Sequence, residues 1–400
     1  MAKILMLNIP MHGHVNPTIA LTKELVQRGH DVTYLISEEF RKQIAPTGAN
    51  IITYEAQTGK KIVFRDLFTT MSTIYYKALE IGGDFDCIIY EMGFFYGAKL
   101  GEELGIKTVC LTSTFALNDK IGDDFIQDNG FLRNIMKTKA FRKVLSILLI
   151  KDKKLRHTDL IYELLDHNPD LNIVYTSRQF QVHNEDFDEK QFVFIGPSVG
   201  GRLQESDIPF DQMKEKIVYI SLGTVSTNSL DFFKTCIEAF KDTNVSVIMS
   251  IGKQITIEDL GTIPANFYVY PFVPQVVVLE HTDLFITHCG MNSANEAMYY
   301  GIPVIGVPQR GDQPIVANRM GELGLGEVID KKHVTAANLR TTASKILNES
   351  TYQVNMAKMR QEMLSAGGYR KAADEIERYI MNKTSPTYVF RQSLHELHVM

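Results

Sequence analysis

Strand and helix signals alternate through this chain twice, and that doubled alternation restricts the fold more than any other feature. Short apolar strands separated by helices signal βαβ units and a parallel sheet. The first series opens at residues 4–9, a continuous apolar run of the kind shown by parallel strands buried on both faces. In the helix that follows, Asn16 is the cap candidate, Pro17 fits the first turn and Gly29 the end. Further strands are predicted at 31–36, 86–90, 108–111, 173–176 and 192–195, with a helix over about 95–104. From Asp119 to His167 the pattern is long and helical, with Phe125 and Phe131 among its apolar positions.

A boundary follows at Gly196-Pro197-Ser198-Val199-Gly200-Gly201, which runs into a polar stretch ending near Lys216. The second series restarts at 217–224 and continues with strands at about 245–251, 267–270, 284–287 and 303–307. It ends in a long amphipathic helix pair over about 335–382. Four hundred residues exceed what one core usually supports, so two domains are expected. They are an α/β domain over 1–200, a linker over 201–216 and an α/β domain over 217–380, with the tail from about 380 to 400 packing back on the first.

Composition excludes several classes of function. A net charge of -5 argues against a broad nucleic-acid surface. The four cysteines, Cys87, Cys110, Cys236 and Cys289, have neither metal-ligand nor disulfide-framework spacing and read as reduced thiols of a cytoplasmic protein. The first residues form a strand without a small-residue cleavage site, and no stretch approaches the roughly 18 apolar residues of a membrane span. The basic run 151–156 reads as a solvated helix end rather than a membrane contact, so no stable membrane association is expected. Asp123-Asp124 and the pair Asp84 and Asp86 read as exposed carboxylates, and no metal is expected. The glycines near Gly223 do not form a dinucleotide fingerprint, which disfavours a nicotinamide oxidoreductase.

Two strand–helix junctions carry the chemistry. Open α/β sheets bind ligands beyond the carboxyl ends of their strands. The first junction holds Met11-His12-Gly13-His14-Val15-Asn16-Pro17, and the second holds Thr287-His288-Cys289-Gly290-Met291-Asn292-Ser293 followed by Glu296. In the second, Gly290 allows close backbone approach, and Asn292 or Ser293 can start a helix whose free N–H groups form a phosphate site. His288 and the Ser293 hydroxyl can donate to the same phosphates, and Glu296, one turn deeper, suits the two hydroxyls of a ribose. Thr224 lines the phosphate side of the same cleft. Cys289 reads as a small packed residue rather than a nucleophile.

The run 288–296, together with Phe272-Val273-Pro274-Gln275, Gly301-Ile302-Pro303 and Asp312-Gln313, resembles the donor signature of family 1 UDP-glycosyltransferases. Gly13-His14-Val15-Asn16-Pro17 resembles that family's catalytic histidine turn, and the likeness is greatest to bacterial macrolide and flavonoid glucosyltransferases. The resemblance implies a GT-B fold, with two Rossmann-like domains facing one cleft, and an inverting transfer that needs no metal or other cofactor. It implies that Val273 and Gln275 meet the uracil, with Phe272 where many plant members stack a tryptophan; this chain has none. Met291 likewise replaces a tryptophan common in the plant motif. His288, Gly290, Asn292 and Ser293 are expected at the phosphates, with His288 present for charge. Glu296 is expected at the ribose, and Asp312 and Gln313 at the sugar, Gln313 being the glucose-preferring form.

His14 is the expected general base, since a neutral imidazole can take the proton of an attacking hydroxyl. In the family an aspartate usually orients that histidine; here Glu91 stands in its place, with Asp119 as a fallback. His12 is a bystander. Phe94 and Phe115 are candidates for the wall of an apolar acceptor pocket, although core packing suits them equally. The expected partners are UDP-glucose and a flavonoid, phenolic or macrolide-like acceptor, and the expected assembly is a monomer or weak homodimer. The rival readings are a nucleotide-sugar epimerase, a lipid-linked glycosyltransferase and a catalytically silent UDP-sugar-binding protein.

Overall fold

The computed structural model describes residues 1–55, 64–118, 120–122, 169–200, 206–223 and 229–382. The first series forms a seven-stranded sheet from β1 (Lys3–Leu7), β2 (Asp31–Ser37), β3 (Asn50–Tyr54), β4 (Cys87–Glu91), β5 (Lys107–Thr112), β6 (Leu171–Val174) and β7 (Phe192–Phe194). The second forms a six-stranded sheet from β8 (Ile217–Ser221), β9 (Ser246–Ser250), β10 (Phe267–Tyr270), β11 (Leu284–Thr287), β12 (Val304–Gly306) and β13 (Gly326–Val328). Their orders are β3-β2-β1-β4-β5-β6-β7 and β10-β9-β8-β11-β12-β13, and every pairing is parallel. The protein thus consists of two parallel-sheet α/β domains.

Each sheet is covered on both faces, which is why its strands read as unbroken apolar runs. Along β1, Ile4 and Met6 enter one buried cluster while Leu5 and Leu7 enter another on the opposite face. Along β8, Ile217 and Tyr219 face one cluster, and Val218 and Ile220 the other. Burying such an aliphatic side chain contributes about 1.5–3 kcal/mol. The predicted strands all fall within a few residues of observed ones. β3 and β13 were not predicted because each is an edge strand with weak signal: β3 is half-exposed, and β13 has three residues, one of them glycine.

The helices that matter to the site are α1 (His12–Val15) and α2 (Thr18–Gln27) after β1, α3 (Gln275–Leu279) before β11, α4 (Met291–Tyr300) after it, and α5 (Gln313–Glu322) after β12. Asn16 does not cap α2 as expected: it closes the one-turn helix α1 in a helical conformation, and Pro17 takes the cap position. The expected carboxyl-terminal helix pair is three helices, α6 (Ala336–Asn348), α7 (Ser350–Ser365) and α8 (Gly368–Met381). Met356, Met359 and Met363 of α7 pack with Met291, Ala294 and Met298 of α4. The chain then returns to the first half: Ala372, Ala373 and Ile376 of α8 share a cluster with Leu21 and Leu25 of α2. Arg28 seals this contact through Asp374 (2.6 Å) and Glu377 (2.8 Å). The return therefore begins at Gly368, before the tail expected to make it. Residues 383–400, the 201–205 part of the linker, Asp119 and most of the helical stretch after it lie outside the described residues.

Both sheets reverse strand order beside their first strand, between β1 and β4 and between β8 and β11. Such switch points open a crevice at the carboxyl ends of the strands. The His14 turn leaves β1, Glu91 ends β4, and the His288 turn leaves β11. Arg319 donates to the carbonyls of Gln179 (2.9 Å) and Phe180 (3.2 Å), and Asn295 donates to that of Tyr175 (2.6 Å), so the two halves are hydrogen-bonded alongside the crevice.

Candidate active site

His14 Nδ1 lies 2.6 Å from Glu91 Oε2, with 26% of the histidine side chain exposed and none of the glutamate. The longer carboxylate therefore does reach the ring. Glu91 Oε2 also accepts from the Gly93 N–H (2.7 Å), and Oε1 accepts from the Ser113 hydroxyl (2.7 Å). The Ser113 oxygen is in turn 3.2 Å from His14 Nδ1. From below, Asn8 Nδ2 donates to the His14 carbonyl (2.9 Å) and fixes the turn. Gly93 is there for space: a Cβ would come within 2.6 Å of Ile9, 3.0 Å of Glu91 Oε2 and 3.4 Å of His14 Cε1.

Burial alone would disfavour a charged imidazole, but the charge and hydrogen bond of Glu91, with a smaller contribution from Asp312, raise His14 above its ordinary value. Glu91 is shifted the other way: burial opposes its charge, yet His14, Ser113 and the Gly93 amide together lower it. An Nδ1 facing a carboxylate carries the proton, which leaves the Nε2 lone pair for an incoming hydroxyl.

Across the crevice, β11 turns sharply at Cys289, which is packed in the core with φ 57°, and Gly290 caps α4. The helix thus starts at Met291 rather than at an Asn292 or Ser293 cap. His288 lies against two glycines: a Cβ on Gly223 or on Gly290 would meet its ring at 2.6 Å. This burial pushes His288 down to about 4. At neutral pH it is then an uncharged ring that can offer an N–H to a phosphate. Gln275 Nε2 donates to Glu296 Oε2 (2.6 Å) and Ser293 Oγ (3.2 Å), so a half-buried Gln275 joins the expected uracil position to the buried phosphate and ribose residues.

Among the described residues, two hydrogen bonds span the crevice. Asn292 Nδ2 donates to the Gly13 carbonyl (2.8 Å), and the Thr114 hydroxyl donates to Asp312 Oδ2 (2.7 Å). Burial raises the Asp312 carboxyl against the opposing pull of Thr114 and His14. Gln313 Oε1 accepts from the backbone N–H groups of Gln309 (2.9 Å) and Arg310 (3.1 Å), so its carbonyl shapes the loop before Asp312.

Other expected residues stand apart. The Val273 side chain is in the core, and Phe272 is 63% exposed. Phe94 and Phe115 are fully buried, Phe94 near Tyr96 (6.0 Å) and Phe115 against Phe180 (5.5 Å), so neither presents surface to an acceptor here. Their apolar character is spent on packing. His12 packs on Phe40 outside the pair, and Thr224 lies outside the described residues. Asp86 is occupied by the Lys3 N–H (2.8 Å). The sequence reading did not single out Ser113, Gly93 or Thr114. The signal was present in part: Ser113 and Thr114 directly follow a buried strand at its carboxyl end, as the two histidine turns do.

Two Rossmann-like domains whose switch points face each other, one with a histidine–carboxylate pair, define a GT-B transferase. Residues 234–379 match the family model described as the carboxyl-terminal domain of erythromycin biosynthesis protein CIII-like proteins. The chain is 34% identical over 396 residues to the NDP-glycosyltransferase YjiC of Bacillus subtilis, covering 96% of this chain and 98% of that one. It is 27% identical to the oleandomycin glycosyltransferase of Streptomyces antibioticus, over 94% of this chain and 90% of that one. The crystal structure of the calicheamicin glycosyltransferase CalG4 superposes with a TM-score of 0.80 at 28% identity, covering 96% of this chain and 99% of that one. The chain belongs to the family 1 GT-B glycosyltransferases. No helix among the described residues is long and apolar enough to cross a membrane.

Proposed function

We propose that the protein moves glucose from UDP-glucose to a hydroxyl of an apolar small molecule, of flavonoid, phenolic or macrolide type, with inversion at the anomeric carbon. The observation that carries the reading is the His14–Glu91 pair at 2.6 Å, across the crevice from the amino-terminal end of α4. In this scheme Nε2 of His14 takes the acceptor proton while the acceptor oxygen attacks the anomeric carbon. The bond from that carbon to the β-phosphate oxygen breaks, and UDP leaves with the electron pair. Glu91 stabilises the imidazolium that forms, as the carboxylate of a catalytic triad does. The diphosphate charge is met by the free N–H groups at the start of α4, by His288 and by Ser293, and no metal is needed. Glu296 takes the ribose, Val273 and Gln275 the uracil, and Asp312 and Gln313 the sugar.

The similarity to the oleandomycin and calicheamicin glycosyltransferases supports a natural-product acceptor, and that to the NDP-glycosyltransferase YjiC supports a nucleotide-activated sugar. The test is a mass-spectrometric screen of nucleotide sugars against phenolic and macrolide acceptors, run with the intact protein and with His14→Ala. Glucosylated product that disappears in His14→Ala, while UDP still binds, supports the proposal. Absence of product from every UDP-sugar defeats the transferase assignment, and unchanged transfer by His14→Ala defeats the base.

A further inference from the structure

We infer that Ser113 is a positioning residue for the His14–Glu91 pair: its hydroxyl fixes the second oxygen of a carboxylate that is one methylene longer than the family's usual aspartate. The inference rests on the reading of His14 as the base. A glutamate has one more rotatable bond than an aspartate, and a carboxylate held only through Oε2 can swing about that atom. Here Oε2 is held by His14 Nδ1 and the Gly93 N–H, and Oε1 by the Ser113 hydroxyl at 2.7 Å.

The main chain gives Ser113 this place. It is the first residue after β5, and β5 pairs with β4 through Glu91↔Leu111, so the hydroxyl and the carboxylate leave neighbouring strand ends. Both side chains are buried. The single hydroxyl proton goes to the carboxylate, and the oxygen, 3.2 Å from Nδ1, faces the proton that His14 presents to Glu91. The Ser113 hydroxyl, both Glu91 oxygens and His14 Nδ1 therefore each face a partner of the right sign, and His14 Nε2 alone is left for the acceptor. Without the hydroxyl, Oε1 lacks this donor in a site with little water access, and the carboxylate is free to turn from Nδ1.

The experiment compares Ser113→Ala, Ser113→Val and Ser113→Thr with the intact enzyme. Threonine and valine share a shape and differ in the hydroxyl, so they separate positioning from packing. Expected is a fall in kcat of about ten- to a hundredfold for alanine and valine, the loss of one hydrogen bond to a charged group, with threonine within a few-fold of the intact enzyme. KM for UDP-glucose should stay within about twofold. A readout independent of turnover is the titration of His14 in ¹⁵N-labelled free protein. Its midpoint should move to lower pH in the alanine and valine variants and stay put in the threonine variant. A wild-type midpoint and kcat in Ser113→Ala and Ser113→Val would overturn the inference, as would a threonine variant as impaired as valine. If His14→Ala still transfers sugar, the base assignment falls instead; if the His14 titration nevertheless responds to Ser113, the positioning contact stands.

Discussion

Replacing Glu91 by glutamine isolates what the charge of the pair contributes, because the buried site can accept the amide without rearrangement. The amide oxygen can occupy the Oε2 position, where it still accepts from His14 Nδ1 and from the Gly93 N–H. The amide nitrogen then faces the Ser113 oxygen, which can accept a hydrogen bond where it now donates one. The reverse orientation sets an NH₂ against the Gly93 N–H and is disfavoured. Tautomer and ring position thus survive, and only the negative charge is lost. Two unit charges about 4 Å apart at an effective dielectric near 20 interact by about 4 kcal/mol, which bounds the effect at roughly a thousandfold in kcat. The direction of the pH effect is also fixed. The base must be neutral, so kcat/KM rises with pH through the His14 value, which Glu91 holds above the ordinary histidine range. In Glu91→Gln burial acts unopposed by that charge, so the acid limb moves to lower pH while the plateau falls. Initial rates of UDP release between about pH 5 and 9 with a screened acceptor measure both, alongside a melting curve to confirm folding. A variant with the plateau and acid limb of the intact enzyme would refute the role given to Glu91.

Gly93→Ala should disturb the same pair sterically: its Cβ would enter contacts of 2.6 Å with Ile9 and 3.0 Å with Glu91. Thermal melting should show about 1–3 kcal/mol of destabilisation, and kcat should fall by at least tenfold; wild-type values in both would contradict the packing argument. Asn292→Ala removes the bond to the Gly13 carbonyl, and kcat/KM should fall by roughly three- to tenfold, the size of one neutral hydrogen bond, as read by steady-state kinetics. Gln275→Ala takes a donor from the Glu296 carboxylate, and calorimetry should show UDP binding about ten- to a hundredfold weaker.

Much of the fold was legible because burial on both faces of a parallel sheet writes long apolar runs into the sequence. Ile4 through Leu7 and Leu284 through Ile286 are such runs, and both donor and acceptor junctions follow directly from them. What escaped was set by other forces. β3 and β13 are edge strands with one neighbour each, so little burial marks them. Asn16 was expected to cap the start of α2 and instead ends α1, because that single turn separates strand and helix, and a four-residue helix has no periodicity to read. Phe94 and Phe115 could not be sorted between core and pocket, since an aromatic side chain looks the same in either; only packing decides, and it puts both inside. Ser113 was legible as a strand-end residue but not as a partner of Glu91. Its role depends on the pairing register of β4 and β5, a long-range fact that no local pattern encodes.

The two bonds across the crevice bear on how the halves cooperate. Gly13 precedes the proposed base and is held by Asn292, which belongs to the phosphate end of α4. Asp312, proposed to hold the sugar, is held by Thr114, the neighbour of Ser113 in the other half. Each half thus supports a residue next to the other's reactive group. If the halves separate to admit UDP-glucose, both bonds break, and the turn carrying His14 loses one of its supports. Closure around the donor then restores them, so the base is fully supported only when the donor half is in place. Thr114→Val tests this coupling without touching the base. It should raise KM for UDP-glucose and lower kcat together, because closure contributes to both. A change confined to acceptor KM would place Thr114 in the acceptor site and remove the coupling.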